Sequence, residues 1–342
     1  MGRLTIRDVA KAAGVHPATA SRALDPRLPG RISPLTTARI RQAAEALGYV
    51  ADPVGRSLRT QRSGIVGVLV PDLTNPFFPP LLRAVEDSLR RHGFEALIAS
   101  TDNDPRRESD LLEVLQGRRC EGYIVATATR PDPAVDALVR AGTPIVLVNR
   151  LSAGAVPSVT SDDGGGIRAA VGHLRALGHT AIGHVTGPRG ISVTTEREQA
   201  FRAALRTEGL RAGRGRVVRA GNYTAAAGEV ACRKLLEAED VTAILAGNDM
   251  IALGCYAALD RAGLRCPRDV SVIGINDMPF AEWLRPALTT VAVPKEELGA
   301  HAAGLLLRQI HEPGTEVGNV SLPTTLVIRV STAAARTRPP DR

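Results

Sequence analysis

"RDVAKAAGVHPATASRAL", residues 7 to 24, sets Gly14 and then Pro17 inside a run that otherwise reads as one Ala-rich helix. Helix-terminus chemistry resolves the run into two helices joined by a tight turn. Thr5 caps the first, with Asp8 three residues later reaching back as in a capping box, and Ile6, Val9, Ala10 and Ala13 form an apolar stripe at helical spacing. Gly14 supplies the positive φ that ends this helix, and Val15 points inward. Pro17 fits the first turn of the next helix, where its missing N–H has no intrahelical partner to lose. That second helix runs from Pro17 to about Leu24, burying Ala20 and either Ala23 or Leu24 and leaving Ala18, Thr19, Ser21 and Arg22 on other faces. A third begins at Ser33-Pro34, carries Ile40, Ala44 and Leu47 on one face, and stops at Gly48.

Three short helices with a Gly-containing turn between the first two is the plan of a helix-turn-helix DNA reader, whose second helix enters the major groove. Charge agrees with it. Of the formal net charge of +8, residues 1 to 62 carry +7, from eleven Lys/Arg against four acids. A basic head on a near-neutral body is the footprint of a polyanion binder.

The rest of the chain bounds the remaining possibilities. At 342 residues about two or three domains are expected. No apolar run approaches the length of a membrane span, and "MGRLTIRDVAKAAG" lacks the features of a secretory signal, so a cytoplasmic protein with no membrane partner is expected. Cys120, Cys232, Cys255 and Cys266 are scattered without a C-x-x-C pair, which suggests neither a zinc site nor a disulfide framework.

From Ser63 the pattern changes to strand, helix, strand. "GIVGVLV", "EALIAS", "GYIVA" and "PIVLVN" are apolar runs separated by amphipathic segments near 77 to 92, 105 to 117 and 132 to 141. A second series, "TAIGHVT", "VTAILA" and "VSVIGI", alternates with helices near 163 to 177, 194 to 208, 224 to 237 and 248 to 262. Two open parallel-sheet subdomains facing each other make a periplasmic-binding-protein-like α/β body, and such sheets bind ligands beyond the carboxyl ends of their strands. Polar or aromatic residues fall there: Asn75, Phe77 and Phe78, then Asn149 and Arg150, Arg197, Tyr223, Asn248 and Asp249, and Asn276 and Asp277. Ring stacking mixed with amide and guanidinium hydrogen bonds suits a sugar-like ligand, although capping or loop bonding explains any single one of these residues as well, Asn248-Asp249 above all.

Enzyme chemistry is not indicated. The acids of "SDDGGG" are explained by a helix N-terminus, and His173, His179 and His184 share no helical face that would make a metal site. The chain has no G-x-S-x-G elbow and no P-loop, and "VTGPRG" is too loose for a dinucleotide fingerprint. No cofactor is expected.

"TIRDVAKAAGVHPATASRALD", "RIRQAAEALGYVADPVGRSLRTQRSGIVGVLVPDLTNPFF", "GNDMIALGCYAALDRAGL", "PRDVSVIGIND" and "PALTTVAVPKEELG" resemble the lactose-repressor (LacI/GalR) family of bacterial transcription regulators over nearly the whole chain. The resemblance implies an all-α helix-turn-helix headpiece (1–49), a hinge (50–62), and an effector-binding and dimerisation body (63–335). In the body, one subdomain takes 63–161 with 292–324, the other takes 162–291 with 325–335, and a tail (336–342) follows. It implies a homodimer on a pseudo-palindromic operator in double-stranded DNA, regulated by a small sugar or sugar derivative. Pro17, Ala18 and Arg22 then hold base-reading positions, with Thr5, Thr19 and Ser21 near phosphates. "ADPVGRSLRTQRS" becomes a hinge helix too short to be stable alone, inserting Leu58 as a minor-groove wedge, with Gly55 where the family usually has Ala. Arg197, Tyr223, Asn248 and Asn276 map onto effector contacts, while Ala200 replaces a usual Gly and Asn276 stands where Asp is common. The tail lacks a Leu heptad, so a dimer is expected rather than a coiled-coil tetramer. A sugar-binding receptor without a DNA role is the alternative reading.

Overall fold

The structure is a computed structural model that describes residues 4–24, 31–49, 62–211 and 213–336. Most of the expected hinge, with Leu58 and Gly55, lies outside the described residues.

The amino-terminal unit holds α1 (Ile6–Ala12), α2 (Pro17–Ala23) and α3 (Pro34–Ala46). Thr5 donates both its N–H and its Oγ1–H to Asp8 Oδ2 at 2.8 Å, and those bonds hold the Asp8 carboxyl below its ordinary pKa. Gly14 takes φ +62°, and Val15 N–H then closes the turn onto Ala10 O at 3.0 Å. Pro17 opens α2, whose cap is His16: its Nδ1 accepts from Ala18 N–H at 3.3 Å. Ser33 caps α3 by accepting from Thr36 N–H. Val9, Ala10, Ala13, Ala20, Ala23, Ile40 and Ala44 make the core. With so many Ala methyls in contact, the helices pack by close approach rather than by bulk.

The larger unit contains two six-stranded sheets. Sheet one uses β1 (Ile65–Val70), β2 (Glu95–Ser100), β3 (Gly122–Val125), β4 (Ile145–Val148), β5 (Ser158–Ser161) and, from near the end of the chain, β11 (Val320–Leu322). Its order is β11-β5-β4-β3-β1-β2. Sheet two uses β6 (Ile182–Thr186), β7 (Val217–Arg219), β8 (Ala243–Ala246), β9 (Ser271–Asn276), β10 (Thr289–Ala292) and β12 (Thr325–Val327), in the order β12-β10-β9-β8-β6-β7. Runs such as β1, β3, β4 and β8 are apolar throughout because helices cover both faces. Those helices are α4 (Phe78–Arg91), α5 (Pro105–Gly117), α6 (Pro133–Arg140) and α11 (Lys295–His311) for sheet one, and α7 (Asp163–Ala176), α8 (Ser192–Thr207), α9 (Ala225–Ala238) and α10 (Asp249–Arg261) for sheet two.

One element departs from the expected all-parallel sheets: β12 runs antiparallel to β10. The chain passes from β11 to β12 across only Pro323 and Thr324, with no helix to turn it round. Strands of both sheets end at the shared cleft, so a chain that crosses directly must run away from the cleft in the second sheet. The α9–α10 pair is closely packed because Gly254 and Gly228 lack side chains where a Cβ would meet backbone of the facing helix. Among the expected histidines, none shares ligands with another. His173 Nε2 meets Thr332 Oγ1, His179 lies between Thr242 Oγ1 and Ala333 O, and His184 bonds Leu245 O through Nδ1 at 2.8 Å.

Two buried titratable groups set opposing acid responses. Burial pushes His184 down to about 4, where its ring lies 4.9 Å from Phe201. Burial pushes Asp249 up to about 7, against the bonds it accepts from Thr290 Oγ1 and Met278 N–H. Unfolded chains protonate histidine at higher pH than folded His184 does, so its contribution to stability is lost as pH falls from about 6.5 towards 4. Asp249 holds its proton longer in the folded state, so its contribution falls as pH rises from 3.8 to about 7. Each slope approaches about 1.4 kcal/mol per pH unit, and the two nearly cancel between about pH 4.5 and 6. In urea unfolding across that window, relative to the parent, His184→Gln should tilt the dependence of stability on pH towards acid, and Asp249→Asn should tilt it the opposite way. Slopes unchanged in both variants would contradict this account of the two groups.

Candidate functional site

In each sheet the strand order reverses beside the first strand of its series, between β1 and β3 and between β6 and β8. Ligands of open α/β sheets sit at such switch points, outside the carboxyl ends of the strands. Both switch points open onto one cleft here. It is lined by Asn75, Phe77, Phe78, Asn149, Arg150, Arg197, Tyr223, Asn248 and Asn276, with Asp72, Asn103, Ile191, Val193 and Asn222 among its other walls. All eight effector positions expected from the sequence are thus brought together.

Arg197 lies at the centre, almost wholly buried on α8. Its Nε donates to Asp163 Oδ2 at 2.7 Å, Nη1 to Gly247 O at 2.7 Å, and Nη2 to Asp163 Oδ1 and Asn276 Oδ1 at 3.4 Å each. Burial is the largest single influence and opposes its charge, but Asp163, Tyr223 and Asp249 together outweigh it, and the guanidinium pKa lies above its ordinary value. Four of the five guanidinium N–H groups are engaged, leaving one on Nη1 for a ligand. Because arginine cannot accept a hydrogen bond, Asn276 must turn Oδ1 towards it, and its NH2 then offers two donors elsewhere.

Asn276 and Asp277 hold φ of +113° and +49°, and Asn149 holds +62°. Non-glycine residues in this region cost about 1 to 3 kcal/mol and persist where surrounding contacts impose them. Lys295 imposes the first two: its buried Nζ donates to Asn276 O at 2.8 Å, Asp277 O at 3.1 Å and Val293 O at 3.4 Å. Asn248 combines both roles weighed for it, since Oδ1 caps α10 through Ile251 N–H at 2.9 Å while the residue lines the cleft. Asn75 accepts from Phe77 N–H, and Phe77 and Phe78 meet edge to face at 5.1 Å. Tyr223 fixes its hydroxyl against Thr194 Oγ1 at 2.8 Å. Arg150 donates to Thr127 O at 2.7 Å and Asn103 Oδ1 at 3.1 Å, and burial lowers its pKa to about 10, leaving it charged at neutral pH.

The reading of "SDDGGG" as a helix N-terminus is half of the answer. Asp162 does cap α7, accepting from Gly165 N–H at 2.8 Å, but Asp163 leaves the helix end to hold Arg197. The signal was present: one cap needs one acid, and two stand in sequence. Nothing in "TDNDP" marks Asn103, whose position follows from its φ of +59°.

On the amino-terminal unit, Ala18 and Arg22 are exposed on α2, and Pro17, Thr19 and Ser21 are half-buried. Arg7, Lys11, Arg31, Arg39 and Arg41 are exposed as well. Thr5 is exposed, but Asp8 takes both its donors, so any phosphate it met would compete with that carboxylate.

Residues 5–52 match the model of the lacI family of bacterial regulatory proteins, and residues 171–332 match a periplasmic binding protein-like domain. The ribose operon repressor of Halalkalibacterium halodurans is 33% identical over 329 residues, covering 96% of this chain and 97% of that protein. The lac repressor dimer bound to operator and the anti-inducer ONPF superposes with a TM-score of 0.86 at 25% identity, over 97% of this chain and all of the other. A LacI family transcriptional regulator from Enterococcus faecium with bound ribose gives a TM-score of 0.71 at 32% identity, over 80% of this chain and all of the other.

Removing one partner of the Arg197–Asp163 pair strands the other charge in the interior. Asp163→Ala should therefore cost about 3 to 5 kcal/mol of stability, while the double change Asp163→Leu with Arg197→Met should cost less than the two single changes summed. Additive costs in a urea-unfolding cycle would show that the pair is uncoupled.

Proposed function

The chain belongs to the lacI family of bacterial regulatory proteins, and from that membership we propose that it is a cytoplasmic, homodimeric repressor whose hold on operator DNA responds to a small sugar or sugar derivative. The observation that carries the effector half is the convergence of seven polar and aromatic residues with Arg197 on one cleft, where one Arg197 N–H has no partner among the described residues. Neutral amides, a guanidinium and the rings of Phe77, Phe78 and Tyr223 recognise hydroxyls and a sugar's apolar face together. The ribose held by the Enterococcus relative supports a saccharide.

In this reading α2 enters the major groove. Arg22 has the reach for a bidentate contact to guanine, and Pro17 and Ala18 offer apolar contact to a thymine methyl. Thr5, Thr19 and Ser21 stand near phosphates, and Leu58 enters the minor groove. Two copies address a pseudo-palindrome, each reading one half-site. The edge strand β2 supports a contact between copies, because Leu97 and Ile98 are exposed on it with a free backbone edge. Effector and operator then act on one equilibrium of the body. Coupling of about 1 to 3 kcal/mol changes operator affinity about 5- to 150-fold, and it must be reciprocal.

The test is fluorescence anisotropy of full-length protein on labelled fragments flanking its own gene, against scrambled competitor, with and without saccharides. A preference of at least about tenfold for one fragment is expected. Arg22→Ala should lose about 1 to 3 kcal/mol of that preference, and the paired change Asp163→Leu with Arg197→Met, which strands no charge, should remove the saccharide response while leaving DNA binding intact. Equal binding to scrambled DNA under every condition would refute the assignment.

A further inference from the structure

Beside the central cleft lies a second cavity that the effector positions do not account for. The space around Arg197 is narrow, about 40 Å³, whereas the neighbouring annex holds about 430 Å³. The two are continuous, sharing Asn103, Arg150, Ile191 and Asn222 as common walls. The larger share of the room offered to a ligand bigger than one compact ring is therefore in the annex.

Its lining is polar and built. Glu108, on α5, is only 4% exposed, and Thr127 and Arg150 beside it are 3% and 6% exposed. Thr127 donates to Glu108 Oε1, and among the described residues nothing donates to Oε2. Burial pushes the Glu108 carboxyl up to about 6, so keeping it here is costly to folding at neutral pH. A carboxyl held inside at that cost, with its second oxygen opening onto a cavity, is placed to accept from a ligand hydroxyl that displaces water there. Asn103, Asp104 and Arg189 add an amide, an acceptor and a donor around the same space.

The chemistry of the missing donor follows from what the annex lacks as well as what it has. No aromatic ring lines it, so it has no plane on which a nucleobase or aryl group would stack. Arg150 and Arg189 offset Glu108 and Asp104, and Arg107 pairs with Asp102, so the annex has no net charge to draw in a cationic group. A neutral, polyhydroxylated unit satisfies both. We propose that the annex is a second saccharide subsite and that the effector is a disaccharide or larger glycoside, one ring at Arg197 and the next hydroxylated unit donating to Glu108. This rests on the saccharide reading above and narrows it.

Isothermal titration of the full-length protein tests it with D-glucose, D-galactose and D-ribose against maltose, cellobiose, lactose, sucrose and trehalose. At least one disaccharide should bind about tenfold or more tighter than either of its component sugars. Glu108→Gln should remove about tenfold of that advantage, since hydrogen bonds to charged groups carry roughly that weight. Gly221→Trp should abolish the advantage by filling the annex; Gly221 lines it, and a Cβ there meets nothing within 4 Å. In both variants monosaccharide binding should stay within about twofold of the parent. Monosaccharides binding as tightly as every disaccharide, or an advantage that survives Gly221→Trp, would overturn the second subsite and leave the saccharide reading standing. Silence from every sugar would overturn both.

Discussion

A guanidinium buried among strands needs a carboxylate, and much of the cleft is arranged to meet that need. Arg197 is 3% exposed and Asp163 is 6% exposed, so neither charge is solvated by water. The pair contributes little net stability by comparison with an apolar replacement, because desolvation offsets most of the attraction. What it supplies is position. Asp163 grips one edge of the guanidinium from the first turn of α7, Gly247 O takes a third N–H from the turn after β8, and Asn276 Oδ1 closes the set from the end of β9. Three elements of sheet two are thereby referred to one planar cation, and its remaining donor has a single direction to point.

The second constraint concerns the crossings between sheets. Lys295 stands at the first turn of α11, a helix of sheet one, yet its ammonium holds the carbonyls of Asn276 and Asp277 at the end of β9 in sheet two. That bond set sits at the crossing from β10 to α11 and stabilises two left-handed residues facing the cleft. Beside the apolar core that elements of both sheets share, two further links between them are polar and separable. Leu151 N–H donates to Ser192 Oγ at 2.8 Å, and Arg130 meets Glu196 at 3.5 Å with both side chains well exposed. Exposed pairs of this kind are worth about 0 to 1 kcal/mol. A ligand that contacts both walls therefore competes with weak contacts, which suits a body whose two sheets must change their relation at modest cost.

How much of this was legible depended on the physical range of each signal. Strands such as β1, β4 and β9, apolar on both faces, announced themselves, and so did the capped helices of the headpiece. Strands β7, β11 and β12 have three residues each, too few for any periodicity, and exist because a neighbour supplies the ladder. The antiparallel sense of β12 is a property of the crossing and not of "TLV". Helix α11 carries acids in its first turn and Arg308 and His311 in its last, a helix signature legible within and beyond the stretch that carries the family resemblance. Arg197 was legible by kinship. In sequence Asp163 is indistinguishable from a helix-cap acid, and Glu108 from the polar face of an amphipathic helix, since a charged residue in either setting is usually solvated.

The replacement at 276 shows how one atom changes what the cleft asks of its ligand. With Asp at this position, Arg197 would face two carboxylates, the cluster would carry a net negative charge, and the second carboxylate would offer acceptors to ligand hydroxyls. With Asn276, Arg197 and Asp163 balance, and the amide, its oxygen committed to Arg197, offers donors instead. Asn248, with Oδ1 committed to capping α10, is left in the same state. The centre of the cleft is consequently rich in donors: the free N–H of Arg197 and the two amide groups. Glu108, Asp104 and Asp102 place acceptors in the annex. A ligand that fits this polarity presents lone pairs at one end and hydroxyl protons at the other. Each sugar hydroxyl can do either, and two linked rings would offer one such face to each region.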